Sequence, residues 1–286
     1  GQVFMNNIHG RRVNMDVLTR DGSGYTASHA PDVVRSADPW FVGVSLAYGP
    51  VGGVFVSDFS DTGECHHTRN TRKHTGRIFK ITYGKPKPWT GDIGKLKNEE
   101  LAELQMHDND WFVRHARRVL QERLDFTHKT WSPVSPDPVK NYAAWRERRS
   151  GWFGDVDEEL KKQLNENKST PKRLRALWAL YVTDGVESDD LMALFDDRDE
   201  HVRSWAIQLL MNDVQLTKAG VAMLAELAMK DKSPLVRLYL ASAAQRVPIE
   251  LRLPLLKALL AHGEDVDDPN LPLMYWYATE PVVATD

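Results

Sequence analysis

The sequence predicts a β-then-α fold, with a partial β-propeller of about two blades over residues 1–90 and an α-solenoid over residues 91–286. Three observations support this prediction. Short runs of alternating apolar and polar residues fill the first part, separated by glycine and aspartate. From Leu96 onward the apolar period is that of amphipathic helices. One short phrase also recurs along the helical part, which is typical of stacked repeats.

The composition narrows the class of protein. The chain has 286 residues, of which 42% are hydrophobic, so it is long enough to bury a large core. Its net charge of −3 gives no overall basic balance, and we therefore expect no nucleic-acid partner. No run of 18 apolar residues occurs, so we expect no membrane span. A single cysteine excludes an internal disulfide.

The first part reads as strands joined by tight turns. The predicted order is strand, glycine-rich turn, strand, polar loop and strand, which is typical of a propeller blade. In particular, we expect Gly76–Tyr83 to pair with Gly53–Asp58, leaving 59–75 as the loop between them. The strand-forming runs are RVNMDVL (12–18), WFVGVSLAYGP (40–50), GGVFVSDF (52–59) and GRIFKITYG (76–84).

The second part carries a phrase in which an aspartate precedes a Val-Arg pair. An amphipathic helix follows each copy, and the aspartate and its neighbours are expected to cap that helix. We predict that Val113, Val202 and Val236 are buried, and that the arginines after them occupy equivalent places, each reaching toward the next repeat. The copies are DNDWFVR (108–114), DRDEHVR (197–203) and DKSPLVR (231–237), with a weaker copy around Leu174-Arg175.

The segment 125–168 interrupts this repeat. It contains the proline-rich stretch THKTWSPVSPDPVKNY and then a polar stretch typical of a solvated helix. We predict an irregular insertion there.

The stretch ECHHTRNTRKHTGRIF (64–79) holds the only cysteine beside two histidines. A covalent c-type haem needs C-x-x-C-H, so that interpretation is rejected. Three interpretations remain open: a polar loop with a packed cysteine, a zinc or copper site, and a ligand site at one mouth of the propeller. The metal site is disfavoured because adjacent histidines on an extended chain point to opposite faces, and we predict none.

In the ligand-site interpretation, carboxylates and histidines supply acid and base groups to a pocket. We assign catalytic roles to Asp58, Asp61 and His66. Glu64 and His67 would bind substrate, together with His9 and Arg12 from the loop NNIHGRRVN (6–14), which otherwise reads as an ordinary hairpin loop.

Two basic stretches contain aromatic residues: FVRHARR (112–118) and WRERRSGW (145–152). Such runs bind phosphates in some proteins, but the acidic net charge of the chain favours the interpretation as solvated helix faces. The tryptophans at 111, 178 and 205 lie inside the repeats and are expected to pack in the core.

Residues 36–84 resemble the last blade of the membrane-bound dehydrogenase family of planctomycetes and verrucomicrobia, whose propellers are similar to those of glucose/sorbosone dehydrogenases. The helical part resembles the HEAT-type repeats that follow that propeller, through NDWFVRHARRVLQER (109–123), RLRALWAL (173–180) and HGEDVDDPNLPLMYWY (262–277). The phrases that carry the propeller resemblance are Asp-Pro-Trp-Phe (38–41), Tyr-Gly-Pro (48–50), Val-Ser-Asp (56–58), Asp-Thr-Gly-Glu-Cys-His (61–66) and Thr-Gly-Arg-Ile (75–78).

The resemblance implies a fragment of a periplasmic or secreted quinoprotein-type sugar or alcohol dehydrogenase. It implies a small sugar or alcohol as substrate, and a haem c domain or cytochrome, expected downstream, as electron acceptor. The cofactor is not determined, and a quinone with calcium fits the class. Blades that precede this segment would contribute the rest of the active site. The alternative is a non-catalytic scaffold that binds carbohydrate or protein.

Overall fold

The computed structural model describes residues 1–60, 74–213 and 216–283. The chain divides into two compact units. Unit 1 comprises Gly1–Arg20 and Tyr25–Gly91, and unit 2 comprises Asp21–Gly24 and Asp92–Asp286. Within the described residues, no helix combines the length and the apolar character that crossing a bilayer requires.

Unit 1 is built from two antiparallel three-stranded sheets, with strand orders β1-β2-β3 and β4-β5-β6. A β-rich part therefore precedes a helical part, as the sequence predicts. Both sheets are open, and the described chain contains no closed propeller ring. The strands are β1 (Gln2–Asn7), β2 (Arg12–Asp21), β3 (Gly24–Arg35), β4 (Gly43–Tyr48), β5 (Val54–Asp58) and β6 (Arg77–Ile81).

The predicted pairing of the strands around the polar loop is confirmed. β6 pairs antiparallel with β5, with Val54 opposite Ile81 and Asp58 opposite Arg77. β4 pairs on the other side of β5. Val56 is 1% exposed and lies in the core of this sheet. The strand β3 was not predicted. Its sequence, GYTASHAPDVVR, includes a proline and does not alternate cleanly.

Unit 2 contains the ten α-helices of the described chain, with short 3₁₀ turns between some of them. These are α1 (Asn98–Glu103), α2 (Asp110–Lys129), α3 (Pro138–Glu166), α4 (Thr170–Val182), α5 (Ser188–Ala193), α6 (Glu200–Asp213), α7 (Lys218–Lys230), α8 (Pro234–Ala244), α9 (Ile249–Leu260) and α10 (Leu271–Val283).

Helices that are two apart in the chain pack side by side. One row runs α2, α4, α6, α8, α10, and α7 packs on α9. Val113, Val202 and Val236 are each 0% exposed, so the predicted burial of the phrase valines is confirmed. One continuous apolar core joins these helices.

The arginines of the last two phrase copies make matching contacts. Arg203 donates from Nε and Nη2 to the carboxylate of Asp231, at 2.7 and 2.9 Å. Arg237 binds Asp265 in the same way, with Nε at 2.7 Å. Both carboxylates lie 28 residues beyond their arginine. Nη1 of each also donates to a backbone carbonyl six residues earlier, at Asp197 and Asp231. The prediction that the phrase arginines occupy equivalent places is therefore confirmed for Arg203 and Arg237.

The first copy departs from this pattern, because Arg114 is exposed. α2 is capped by Asn109, one residue after Asp108, whereas α8 is capped by Ser233, two residues after Asp231. A shift of one residue turns a side chain by about 100° around a helix. The shift therefore turns Arg114 toward solvent although the phrase has the same form. The prediction that Arg114 occupies the same place as Arg203 and Arg237 is wrong.

In α4 the arginine that occupies the place of Arg203 and Arg237 is Arg173 and not Arg175. Arg173 follows the cap residue Ser169 by four positions, as Arg237 follows its own cap, and its Nη atoms lie 3.0 and 2.5 Å from Asp197. Hydrogen bonding to Asp197 raises the pKa of Arg173 against the opposing effect of burial. Arg175 instead pairs with Asp110 at 3.1 Å.

A second link joins the starts of α4 and α6. The Thr170 hydroxyl donates to the carboxylate of Asp199, which also accepts from the backbone amide of His201 at 2.9 Å. Burial raises the pKa of Asp199, but these hydrogen bonds outweigh it and hold the pKa below its ordinary value of 3.8.

The helix expected in the polar stretch EELKKQLNENK (158–168) is present as the end of α3, but the irregular insertion predicted for 125–168 is wrong for most of its length. α2 continues to Lys129, and α3 is a helix of 29 residues, so the non-helical backbone is confined to 130–137 and 167–168. α3 begins with Asp137 as its cap and Pro138 in its first turn, a combination that favours helix starts. Its buried face is formed by Trp145, Arg149, Phe153, Val156, Leu160, Gln163 and Leu164.

Candidate functional site

Asp58, a predicted catalytic residue, is buried at the end of β5. Its Oδ1 accepts the backbone N–H groups of Val42 at 2.7 Å and Ser60 at 3.0 Å, and its Oδ2 accepts Nε of Arg77 at 2.6 Å. The residue is 5% exposed. These contacts give Asp58 a structural role, since they tie the segment before β4 to the end of β5. Its catalytic role stays a prediction.

Arg77 joins two carboxylates, because Nη1 lies 2.5 Å from Oδ2 of Asp38 while Nε binds Asp58. Hydrogen bonding to Asp38 is the main cause of the raised pKa of Arg77, and Asp58 adds to it against the effect of burial. All three residues belong to the phrases Asp-Pro-Trp-Phe, Val-Ser-Asp and Thr-Gly-Arg-Ile. Three of the five phrases that carry the resemblance therefore meet in one ion-pair network, which links β5, β6 and the segment before β4.

His9 and Arg12 lie at the first hairpin of unit 1. His9 is exposed in the turn between β1 and β2. Arg12 begins β2, and its Nη1 lies 3.5 Å from Oδ2 of Asp32 on β3. Nε of Arg35 is 3.2 Å from the same oxygen, and Nε2 of His29 is 3.6 Å from the other one. Arg12 thus belongs to a charged cluster on the first sheet.

The remaining predicted site residues are Asp61, Glu64, His66 and His67, which lie with Cys65 outside the described residues. Their predicted grouping with Asp58 stays a prediction. Among the residues that the structure does describe, no three His, Cys, Asp or Glu side chains are grouped so that they would hold a metal ion.

A concave site lies within unit 2, where the end of α2 and the start of α3 face the α4–α5 connection and α6. It is an open cleft of about 690 Å³, within the usual size range of ligand sites. Five aromatic rings line it, those of His128, Trp131, Tyr142, Trp145 and Tyr181. Its remaining wall and rim are formed by Pro138, Asn141, Arg146, Asp184, Val186, Glu187, Ser188, Asp189, Leu191, Leu209 and Leu210.

The aromatic wall is held in place by packing between rings. Trp145 is 5% exposed, and its ring centroid lies 4.1 Å from that of His128 and 6.0 Å from that of Trp131. Tyr142 lies one helical turn before Trp145 on α3 and is 55% exposed, so its ring is available to a ligand. The cleft therefore combines a fixed ring with an accessible one.

Two arginines of α3 hold the opposite wall. Nε of Arg149 donates to the carbonyl of Thr183 at 2.7 Å, and both its Nη atoms bind the carboxylate of Asp157. Nη1 of Arg146 donates to the carbonyl of Asp184 at 2.6 Å. Gly185 comes next, where a Cβ atom would lie only 2.5 Å from Oδ1 of Asp157. The loop after α4 therefore sits close against α3 and has a fixed position.

The rim carries opposite charges at short range. Nη2 of Arg146 lies 2.9 Å from Oε1 of Glu187, and both side chains are partly exposed. Asp189 is exposed on the same rim. A ligand in the cleft would contact aromatic rings along its wall and both a guanidinium and carboxylates at its rim. This arrangement suits a molecule with an apolar face and several hydroxyl groups.

The sequence did not predict this cleft, although part of the signal was present. Tyr142, Trp145 and Arg149 lie three and four residues apart, which is helical spacing. The prolines around them favoured an irregular segment, and the charged Arg149 sits where the helical period requires an apolar residue. A comparison with protein-family models and one with curated proteins found no match to this chain.

Proposed function

We propose that the chain is a non-catalytic binding scaffold whose helical unit holds a carbohydrate in the cleft beside α3. The observation that carries this proposal is the combination of an accessible ring, Tyr142, with the Arg146–Glu187 ion pair across a cleft of ligand size. Rings of this kind stack on the apolar face of a sugar, while the charged pair offers both a donor and an acceptor to its hydroxyl groups.

The charges of the cleft favour a polyhydroxylated ligand over a purely apolar one. Arg146 and Glu187 already neutralise each other, so this ion pair does not require a ligand with a positive or a negative net charge. A ligand that displaces water from such a rim breaks the hydrogen bonds of that water. The loss is offset only by ligand groups that form equivalent hydrogen bonds. Hydroxyl groups do so, because each one both donates and accepts.

The test is binding of the whole chain to a panel of neutral oligosaccharides, measured by isothermal titration calorimetry. At least one sugar should bind, and Tyr142→Ala should weaken it by roughly tenfold, about 1.4 kcal/mol. Trp152→Ala is the matched control, since Trp152 lies on the same helix, is 54% exposed and does not line the cleft. It should bind as the unchanged protein does. Absence of binding across the panel, or equal loss in both variants, would contradict the proposal.

We further propose that the helical unit is a HEAT-type α-solenoid and that unit 1 is the last part of a propeller. The solenoid proposal is supported by the side-by-side helix rows and by the equal spacing of Asp197, Asp231 and Asp265, each of which binds the arginine of the preceding phrase. The propeller proposal is supported by two open antiparallel sheets of three strands.

A second candidate function is a fragment of a periplasmic or secreted quinoprotein-type sugar or alcohol dehydrogenase. The resemblance of 36–84 favours it, and the network of Asp38, Asp58 and Arg77 unites three of the five phrases on which that resemblance depends. In the full-length protein, with a quinone cofactor, calcium and a haem c acceptor, His66→Ala should then lower turnover and leave the melting temperature nearly unchanged. Equal turnover in the variant would contradict a catalytic role for His66.

A further inference from the structure

The cleft beside α3 is lined by more carboxylates than cationic groups. Asp184, Glu187 and Asp189 supply three carboxylates, whereas Arg146 supplies one guanidinium. Nη2 of Arg146 lies 2.9 Å from Oε1 of Glu187, so these two charges offset each other. The imidazole of His128, which also lines the cleft, adds at most one positive charge. The titratable side chains that line the cleft therefore leave it with a net negative charge.

The carboxylates of Asp184 and Asp189 are accessible to a ligand. Both residues are exposed, and neither carboxylate has a hydrogen-bond or ion-pair partner among the described residues. Asp184 is held through its backbone, because its carbonyl accepts from Nη1 of Arg146 at 2.6 Å and its amide donates to the carbonyl of Tyr181 at 3.2 Å. Asp189 lies in the first turn of α5. The fixed loop after α4 thus presents two unpaired negative charges at the rim of the cleft.

The aromatic wall of the same cleft also attracts cations. Tyr142 is 55% exposed and Trp131 is half-buried, so both rings keep surface that a ligand can reach. The face of such a ring carries partial negative charge, and an ammonium group is attracted to it. A neutral hydroxyl group gains no comparable attraction. The rings and the carboxylates are separate features of the cleft, and both favour a positively charged group.

We infer that the ligand of this cleft is an amino sugar with a free, protonated amine, an inference that rests on the proposed carbohydrate site. The apolar face of the sugar stacks on Tyr142, and its ammonium group is attracted by the carboxylates of Asp184 and Asp189. An N-acetylated sugar lacks the charge and gains nothing from these carboxylates. An acidic sugar is repelled by them. Asp184 and Asp189 are therefore the residues that set the charge preference of the site.

The test compares a β-1,4-linked glucosamine tetramer with the β-1,4-linked glucose tetramer, which differs from it only in the group at C2. Calorimetric titration of the whole chain is done at low ionic strength and at a pH at which the amine is protonated. Opposite unit charges about 8 Å apart in water change Kd roughly twofold, so two carboxylates should make the glucosamine tetramer bind about fivefold more tightly. This ratio should fall toward one at about 1 M salt, because exposed charges are then screened.

A double variant with Asp184→Asn and Asp189→Asn removes both charges and nearly keeps the shape of the rim. Asparagine also tolerates the positive φ of 55° at position 184. This variant should bind the two tetramers with a Kd ratio near one. Asp155→Asn is the matched control, since Asp155 lies on α3, is exposed and does not line the cleft, and it should keep the preference. The same ratio in both variants would overturn the inference.

A lysine tetramer separates a sugar site from the general attraction between a cation and an acidic chain. It carries several positive charges but no sugar ring, so it should bind about tenfold more weakly than the glucosamine tetramer. Equal binding of the lysine tetramer, equal affinity for the two sugars, or no binding of the glucosamine tetramer would each overturn the inference. The proposed function survives these results if a neutral sugar of the panel binds, whereas absence of binding by every sugar would contradict both.

Discussion

Replacing Asp231 by alanine should destabilise the helical unit by about 3–4 kcal/mol. Asp231 accepts two hydrogen bonds from the guanidinium of Arg203, at 2.7 and 2.9 Å, and one from the backbone amide of Ser233, at 2.9 Å. The exposed side-chain fractions of Arg203 and Asp231 are 16% and 3%, so solvent screens the pair only weakly. Removing the carboxylate leaves the arginine with a partly buried charge and no carboxylate partner.

The magnitude follows from the burial of the pair and from the number of hydrogen bonds that are lost. Deleting one partner of a buried ion pair costs about 3–5 kcal/mol, and the residual exposure of Arg203 favours the lower end of that range. The lost bond to the Ser233 amide contributes roughly 1 kcal/mol of the total. The backbone carbonyl of Asp231 still accepts from Nη1 of Arg237, so that contact survives the substitution.

Urea unfolding followed by circular dichroism would measure the change through the transition midpoint. Asp196→Ala is the control: Asp196 pairs with Lys230 at 3.0 Å, but both side chains are largely exposed, so no measurable change is expected. A double variant with Arg203→Met and Asp231→Leu should recover most of the stability, since apolar residues replace buried pairs well. Equal midpoints for the Asp231 and Asp196 variants would refute the reasoning.

Three further predictions concern the same unit. Gly185→Ala should destabilise this unit by about 1–3 kcal/mol in urea unfolding, because the new Cβ would lie 2.5 Å from Oδ1 of Asp157. Gly151→Ala is the control: no atom lies within 4 Å of its new Cβ, so it should stabilise α3 by about 0.5–1 kcal/mol. Val202→Asp should cost at least about 4 kcal/mol, since Val202 is 0% exposed; a loss below about 1 kcal/mol would contradict its burial. The pKa of Asp199 is lowered on folding, so its carboxylate stabilises the fold above pH 3.8 and loses that effect as the pH falls below this value. The stability deficit of Asp199→Asn should therefore shrink on acidification, and a deficit that is constant with pH would exclude this linkage.

Much of the fold could be predicted because local patterns there agree with the tertiary structure. The pairing of β5 with β6 follows from two alternating runs on either side of a polar loop. The burial of Val202 and Val236 follows from a repeated phrase with a cap before it. In both cases the residues that set the local conformation also face the core.

Other features could not be predicted because tertiary contacts decide them. Arg149 occupies a core position of α3 and is neutralised by Asp157, a contact that hydrophobic periodicity cannot reveal. Arg114 belongs to a phrase identical in form to the others, yet a one-residue shift of the helix cap turns it to solvent. The choice of Arg173 over Arg175 has the same origin.

The cleft itself could not be predicted because its walls are distant in sequence. Tyr142 and Trp145 come from α3, Asp184 and Glu187 follow α4, and Leu210 belongs to α6. None of these segments carries a binding motif alone. Only the packing of α3 against α4 brings the rings and the charged rim together.

The most direct test of the proposed carbohydrate site is nuclear magnetic resonance of the tryptophan indole N–H groups during titration with the oligosaccharide that binds best. We predict that the signals of Trp131 and Trp145, which line the cleft, shift with the binding curve, while the signal of Trp152, on the same helix but outside the cleft, stays in place. Shifts confined to Trp152, or no shift of either cleft signal at saturation, would contradict the assignment of carbohydrate binding to this cleft.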